Sequence, residues 1–207
     1  MLHFNTISTP LRQLIEQVCI MPDFNQFYLC GGTALALQLG HRISVDADFV
    51  SENNFDKDNL IKVLIERFSD VTDIHQNQYG VFLRVSGLKL DFLSWNLPFI
   101  AEPIEENNIR MIYKKDIIAM KLFAILQRGE KKDYMDIATL LDEYSLKEML
   151  NFYQERHKNS DISLVLRYLS SFSDIDFQPE PNMLNNLTWA VAKQRLQEAI
   201  KQYTFNN

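Results

Sequence analysis

The stretch from Leu29 to Phe49 constrains the fold of this 207-residue sequence more than any other. An apolar run, Phe27 to Cys30, predicts a strand, and Gly31 and Gly32 after it allow a tight turn and a close approach of the backbone to a ligand. A short helix is predicted next, over Thr33 to Leu39. This order of elements is typical of a site that faces phosphate, because the N–H groups at the start of a helix bind anions.

Two acidic residues, Asp46 and Asp48, follow that helix with one residue between them. On an extended strand their carboxylates project from one face, while Ala47 points to the other. The apolar neighbours Val45 and Phe49 predict partial burial, and like charges in such a position repel each other. A bound metal ion is the simplest way to keep both acids ionised, and a solvated strand edge is the alternative.

Several other chemistries have no support in the sequence. It contains neither the Gly-x-Gly-x-x-Gly fingerprint of dinucleotide-binding proteins nor the Gly-x-x-x-x-Gly-Lys-Ser/Thr loop of P-loop proteins, and it has no Gly-x-Ser-x-Gly serine-hydrolase motif. The four histidines are scattered without metal-ligand spacing. Cys19 and Cys30 show no Cys-x-x-Cys spacing, so we expect buried, reduced thiols rather than a redox or zinc site.

The nearly continuous run from Gly31 to Phe49 resembles the hallmark of the AbiEii/AbiGii-type toxins within the nucleotidyltransferase superfamily. The resemblance implies an α+β fold: a nucleotidyltransferase-like mixed sheet flanked by helices, followed by a helical C-terminal part. Residues 1–109 would form the catalytic domain, and residues 110–207 a helical domain that completes the active site. The implied function is metal-dependent transfer of a nucleoside monophosphate from an NTP to an acceptor, RNA such as tRNA, by a toxin paired with an antitoxin or acting in phage defence.

The same resemblance assigns the site residues. Asp46, Asp48 and Asp91 would hold one or two Mg²⁺ ions, with Mn²⁺ as an alternative, and Lys121 would join them in catalysis. Asp91 stands on the predicted strand Leu88 to Leu93, where the alternative is a plain exposed position. The implied nucleotide-binding residues are Gly31, Gly32, Thr33, Arg42, Ser44, Arg128, Lys132, Asp133 and Asp136.

A second part of the resemblance lies on a predicted pair of helices. Lys121 and Arg128 are seven residues apart, which places them on one helix face about 10 Å apart along the axis, a spacing that suits a row of phosphates. Asp133 and Asp136 also share a face and are expected to orient these basic groups. Lys132 stands where the family commonly has Arg. Because lysine cannot form the bidentate hydrogen bonds to phosphate that arginine forms, this position departs from the family pattern.

The composition sets limits on location and partners. With 46% hydrophobic residues and no apolar run near the roughly 20 residues that span a bilayer, we expect a cytoplasmic protein without a membrane partner. The net charge is −6, yet residues 110–132 hold 7 Lys and Arg against 2 Asp and Glu. This basic segment is either a solvated helix face or a surface for phosphate-rich substrates.

Periodicity predicts the remaining elements. Helices are expected over 10–21, 56–68, 117–127, 131–144, 146–157, 161–171 and 184–203. An antiparallel meander is expected over 71–76, 81–85 and 88–93, with Ser86-Gly87 as a tight turn, and Pro98 to Asn108 is expected to be a connecting loop.

Two other functions stay open: a metal-dependent phosphodiesterase or nuclease, and a catalytically silent binding module with the nucleotidyltransferase fold.

Overall fold

The computed structural model describes residues 1–205, which fold as two compact units. The first unit contains Met1–Gly40 and Ser44–Tyr113. The second contains the short segment His41–Ile43 together with the chain from Lys114 onward. The run from Gly31 to Phe49, the glycine-and-aspartate motif, therefore contributes residues to both units.

The first unit is built on a mixed seven-stranded sheet within the described residues. The strands are β1 (Tyr28–Cys30), β2 (Ala47–Ser51), β3 (Val71–Asn77), β4 (Gly80–Val85), β5 (Leu88–Ser94), β6 (Ile104–Glu106) and β7 (Ile109–Met111). Their order across the sheet is β3-β4-β5-β2-β1-β7-β6. The pairs β2–β5 and β1–β7 are parallel, and the other neighbours are antiparallel. The predicted mixed sheet and the predicted meander are both confirmed.

Three α-helices belong to this unit: α1 (Thr9–Ile20), α2 (Gly31–Leu39) and α3 (Lys57–Arg67). The start of α1 is capped by the Ser8 hydroxyl, which accepts a hydrogen bond from the Leu11 N–H. The start of α3 is capped in the same way by the Asp56 carboxylate, which accepts from the Asn59 N–H. These caps explain why both helices begin close to the predicted positions.

The second unit is helical, as predicted, and contains α4 (Lys114–Gln127), α5 (Lys131–Leu140), α6 (Leu146–Arg156), α7 (Ile162–Leu169) and α8 (Trp189–Phe205). The helix expected to start at residue 184 starts at Trp189 instead. Two local features explain the later start: Asn186 has a positive φ of 58°, and the Thr188 hydroxyl accepts a hydrogen bond from the Val191 N–H.

Of the predictions for two hairpin regions, one is confirmed and the other is wrong in part. Ser86 and Gly87 have positive φ values of 49° and 79°, which confirms the predicted tight turn between β4 and β5. The predicted loop from Pro98 to Asn108 is wrong in part, because it contains β6, which pairs with β7 through a turn at Asn107 and Asn108. A strand of only three residues is too short to display a period of two, although the Asn-Asn pair is itself a hairpin signal.

The core beneath the sheet centres on Phe92 of β5, which is fully buried. Its ring stacks on those of Phe24 and Phe49, with centroids 5.6 Å apart in each case, and meets Phe27 edge to face at 4.9 Å. Such aromatic contacts add to the free energy that area burial alone contributes. Phe92 follows Asp91 directly, so this packing fixes the strand that carries a predicted site residue.

Both cysteines are buried free thiols, as expected from their sequence positions. Burial raises the pKa of the Cys19 thiol above its ordinary value.

None of the helices within residues 1–205 combines the length and the apolar character needed to cross a bilayer.

We predict that Phe92→Ala lowers the free energy of unfolding by about 3–5 kcal/mol, because it leaves a cavity among three other rings. Tyr79→Ala, at a side chain that is mostly exposed, should change it by about 0.5 kcal/mol or less. Urea unfolding followed by circular dichroism measures both changes. A similar, small loss in the two variants would contradict the central place of Phe92.

Candidate active site

The predicted acidic site is organised by the parallel pairing of β2 and β5, which sets Asp48 directly beside Asp91. The neighbouring pairs in this register, Ala47 with Leu90 and Phe49 with Phe92, are buried in the core. Because side chains alternate along a strand, the two carboxylates share the opposite face. Asp46 was expected on the same strand, but it lies immediately before β2.

Gly31 allows Asp48 to lie against the start of α2. Cys30 of β1 pairs with Asp48 across the antiparallel β1–β2 ladder, so Gly31 is the next residue along. A Cβ at position 31 would lie 2.9 Å from Asp48 Oδ2, and the φ of Gly31 is +66°. Both the space and the backbone angle therefore require glycine at this position.

Asp46, Asp48 and Asp91 form an acidic cluster together with Lys89, a residue to which the sequence interpretation assigned no role. Its Nζ atom lies 2.8 Å from Asp91 Oδ2 and 3.9 Å from Asp48 Oδ1. Desolvation acts to lower the pKa of Lys89, but the hydrogen bond to Asp91 and the charges of Asp48, Asp91 and Asp46 outweigh it and raise the pKa. The signal in the sequence was its position two residues before Asp91, on the same strand face.

Asp91 is the most buried of the three acids, with 7% of its side chain exposed. Burial raises the pKa of its carboxyl above the ordinary value, the hydrogen bond from Lys89 opposes the rise, and the charge of Asp46 adds to it. Its Oδ1 atom is buried and has no hydrogen-bond partner among the described residues. Within residues 1–205, no group of three or more His, Cys, Asp or Glu side chains is already arranged as a metal-binding set.

Thr33 and Ser44, two of the predicted nucleotide-binding residues, are buried and bonded to each other. The Thr33 hydroxyl lies 2.8 Å from the Ser44 hydroxyl and also hydrogen-bonds to the main-chain carbonyl of Asp46. These bonds tie α2 to the segment that leads into β2. Direct contact of either hydroxyl with a nucleotide stays a prediction, and it would require an exchange of these partners.

The second unit contains a buried charge cluster around Asp136 of α5, which is fully buried. The Arg42 guanidinium donates two hydrogen bonds to this carboxylate, from Nε at 2.7 Å and from Nη2 at 2.9 Å. His41 Nε2 lies 2.8 Å from Asp136 Oδ1, and Lys121 Nζ lies 2.7 Å from Asp136 Oδ2. The His-Arg pair of the motif therefore packs within the helical unit.

Asp133, also fully buried, extends this cluster. Lys121 Nζ lies 2.7 Å from its Oδ1, and Arg128 Nε lies 3.1 Å from its Oδ2. Lys121 and Arg128, which were expected to share one helix face and contact a row of phosphates, both contact the carboxylate of Asp133, and their roles in phosphate binding stay predictions. Lys132 is partly exposed and pairs with Glu130 at 2.8 Å.

The ionisation of this cluster follows from its contacts. Desolvation acts to raise the pKa of Asp136, but Lys121, Arg42 and His41 outweigh it and hold the pKa well below its ordinary value. Desolvation acts to lower the pKa of Lys121, and the charges of Asp136 and Asp133 raise it instead. Both groups are therefore held in their charged forms.

Comparison with known proteins identifies the family. The family model of the nucleotidyl transferase AbiEii toxin, of type IV toxin–antitoxin systems, matches residues 13–206. This chain belongs to the AbiEii toxin family. The uncharacterized protein aq_aa25 of Aquifex aeolicus (strain VF5) is 30% identical to it over 207 residues, which cover 94% of this chain and 96% of the relative.

Solved structures agree with the fold of this AbiEii-family chain. The nucleotidyltransferase toxin MenT4 (Rv2826c) of Mycobacterium tuberculosis H37Rv aligns with a TM-score of 0.62 at 14% identity, over 94% of this chain and 83% of its own. JHP933 of Helicobacter pylori aligns with a TM-score of 0.50 at 19% identity, over 95% of this chain and 91% of JHP933. These likenesses confirm the α+β nucleotidyltransferase fold, and the family supports an enzyme that transfers nucleotides.

We predict that Asp136→Asn lowers the free energy of unfolding at pH 7 by about 3–5 kcal/mol, because it leaves the buried cations Arg42 and Lys121 without one of their carboxylates. Because the folded-state pKa of Asp136 is depressed, its stabilisation is complete above the unfolded pKa of about 3.9 and is lost as the pH falls below it. The stability difference between the two proteins should therefore narrow between about pH 5 and pH 3.

Urea unfolding at several pH values measures this effect. Asp142→Asn is the matched control in the same unit, because Asp142 is mostly exposed in its pair with Arg195 and should contribute little. Parallel stability curves for wild type and Asp136→Asn across this pH range would contradict the assignment.

Proposed function

We propose that this protein transfers a nucleoside monophosphate from an NTP to a hydroxyl of an RNA acceptor such as tRNA, with a divalent metal ion, and that it acts as a toxin opposed by an antitoxin. The observation that carries the proposal is the in-register pair Asp48 and Asp91, with Gly31 and the start of α2 against it. This arrangement brings an acidic cluster next to a helix start suited to phosphate.

The side chains of the acidic cluster fit a hard divalent cation. Asp46, Asp48 and Asp91 would hold Mg²⁺ or Mn²⁺, since carboxylate oxygens are the ligands that these ions prefer. The buried Oδ1 of Asp91, which has no hydrogen-bond partner within residues 1–205, supports this fit. The bound ion would neutralise charge on the phosphate oxygens and lower the pKa of the attacking hydroxyl.

The residues of the chain would position the substrates and move one proton. The N–H groups of Gly31, Gly32 and Thr33 at the start of α2 would bind triphosphate oxygens. The acceptor oxygen forms a bond to the α-phosphorus, and the bond from that phosphorus to the bridging oxygen breaks as pyrophosphate leaves. Asp91 would accept the proton of the hydroxyl.

Arg128 is the most exposed cation of the charge cluster in the second unit. About half of its side chain is exposed, whereas Lys121 and Asp133 are buried. We assign Arg128 to contact with nucleotide phosphates, and we assign Lys121, Asp133 and Asp136 to positioning Arg128 and Arg42. These assignments divide the predicted site residues of the second unit by their exposure.

The basic segment 110–132 supports an RNA acceptor, but fewer of its lysines are exposed to bind RNA than its charge count suggests. Lys131 is buried, and its Nζ donates to the carbonyls of Asp176 and Gln178, so it is not a surface cation. Lys115 and Lys132 are partly exposed and are the lysines we assign to RNA phosphates.

We predict that Asp46→Asn and Asp48→Asn each abolish metal-dependent nucleotide transfer while the protein stays folded. Loss of one acid from a crowded cluster relieves repulsion, so folding should not suffer. Transfer of label from each α-³²P NTP to total tRNA, with Mg²⁺ or Mn²⁺, measures activity, and circular dichroism measures folding. Asp56→Asn, which keeps a residue type able to cap α3, is a control outside the site. Near wild-type transfer by either Asn variant would refute the metal assignment.

We also predict that RNA binding weakens with added salt, with a log-log slope of about −0.7 for each phosphate contact to a single strand. Lys115→Ala and Lys132→Ala should each flatten this slope by about 0.7, whereas Lys158→Ala, at an exposed lysine outside the basic segment, should leave it unchanged. Fluorescence anisotropy with labelled tRNA measures the slopes. Labelling of bulk protein instead of tRNA in the transfer assay, or slopes indifferent to both substitutions, would exclude the RNA acceptor.

A further inference from the structure

Lys89 stands within the acidic cluster as a cation supplied by the chain itself. Its Nζ atom lies 2.8 Å from Asp91 Oδ2 and 3.9 Å from Asp48 Oδ1, on the face where β2 and β5 present both carboxylates. The four side chains Asp46, Asp48, Asp91 and Lys89 together carry three negative charges and one positive charge. The ammonium group therefore compensates only part of the charge that the sheet brings together.

The ammonium group lies beside both carboxylates that would hold a shared cation. A metal ion held by Asp48 and Asp91 must take an oxygen from each, at about 2.0–2.6 Å. Lys89 Nζ lies 2.8 Å from Asp91 Oδ2 and 3.9 Å from Asp48 Oδ1, so an ion that used the unpartnered Oδ1 of Asp91 would still bind next to the ammonium group. Two cations in contact within this space would repel each other strongly, because the site is partly shielded from water.

We propose that Lys89 is a resident counter-cation that holds the acidic cluster together without metal and must leave Asp91 before a divalent ion can bind there. This inference rests on the proposed function, because it takes Asp48 and Asp91 as metal ligands. It makes Lys89 a positioning residue that sets the metal affinity of the site.

The side chain of Lys89 is suited to this exchange. About 41% of it is exposed, so the ammonium group can move into water while its stem stays on the sheet. Asp91 is anchored instead, because its side chain is buried and the next residue, Phe92, is fixed in the aromatic core. The lysine therefore moves, and the carboxylates stay in place.

Two substitutions of Lys89 should shift metal affinity in opposite directions. Lys89→Met removes the competing charge and keeps the length of the side chain, so Mn²⁺ should bind about tenfold more tightly or better. Lys89→Arg replaces the ammonium with a guanidinium that can grip a carboxylate with two hydrogen bonds, so Mn²⁺ should bind several-fold more weakly. Lys62→Met is the matched control, since Lys62 is exposed on α3 and pairs with Glu66 at 4.0 Å.

Calorimetric titration of the full chain with MnCl₂, without nucleotide, measures these affinities, and the melting temperature gives a second readout. Without metal, Lys89→Met should melt below wild type, because the cluster has lost its counter-cation. With saturating Mn²⁺ it should gain more in melting temperature than wild type does.

The possible failures of the two proposals differ. If wild type and Lys89→Met bind Mn²⁺ equally, or the variant binds it more weakly, the role of Lys89 is wrong while the metal site stands. If neither folded protein binds Mn²⁺, or if Asp48→Asn leaves Mn²⁺ binding unchanged, the proposed metal site itself is wrong. Binding by Lys89→Met alone supports both proposals.

Discussion

The parallel register of β2 and β5 is the constraint on which the rest of the first unit depends. It sets Asp48 beside Asp91 on one face of the sheet and Phe49 beside Phe92 on the other. The first pairing is repulsive, and the buried aromatic contacts on the opposite face help to offset it. A shift of one residue would exchange the two faces, so the core and the acidic cluster are specified together.

The glycine-and-aspartate motif performs a different task in each unit. Gly31 and Asp48 belong to the acidic cluster of the first unit, whereas His41 and Arg42 are buried against Asp136 in the second. The sequence interpretation assigns Arg42 to nucleotide binding and gives no such role to His41. In the structure the charge of Asp136 keeps Arg42 and Lys121 in fixed positions, and contact of Arg42 with a nucleotide stays a prediction.

The sequence predicts most elements but fewer of their contacts. Alternation and helical spacing predicted the meander and the helices, and capping residues account for the accurate helix starts. Lys89 was missed as part of the cluster because a lysine on an alternating strand looks solvent-exposed, and its approach to Asp48 depends on the pairing of two strands about 40 residues apart. Lys131 belongs to the basic segment 110–132, which was expected to be either a solvated helix face or a surface for phosphate. Nothing in that segment indicates that Lys131 is buried and donates to two main-chain carbonyls.

The two ionic clusters differ in charge balance and in solvent exposure. That difference indicates which of them is suited to bind a metal ion. In the second unit the buried carboxylates of Asp133 and Asp136 each contact two cationic side chains, so both charges are compensated where water is excluded. In the first unit Lys89 lies close to Asp48 and Asp91 and also feels the charge of Asp46, and Asp48 and Lys89 remain partly exposed. A buried, compensated cluster resists any exchange of its partners, whereas an exposed cluster with excess negative charge can recruit a cation from solvent. The first unit is therefore the one whose acids we propose as metal ligands, although both clusters are built from the same residue types.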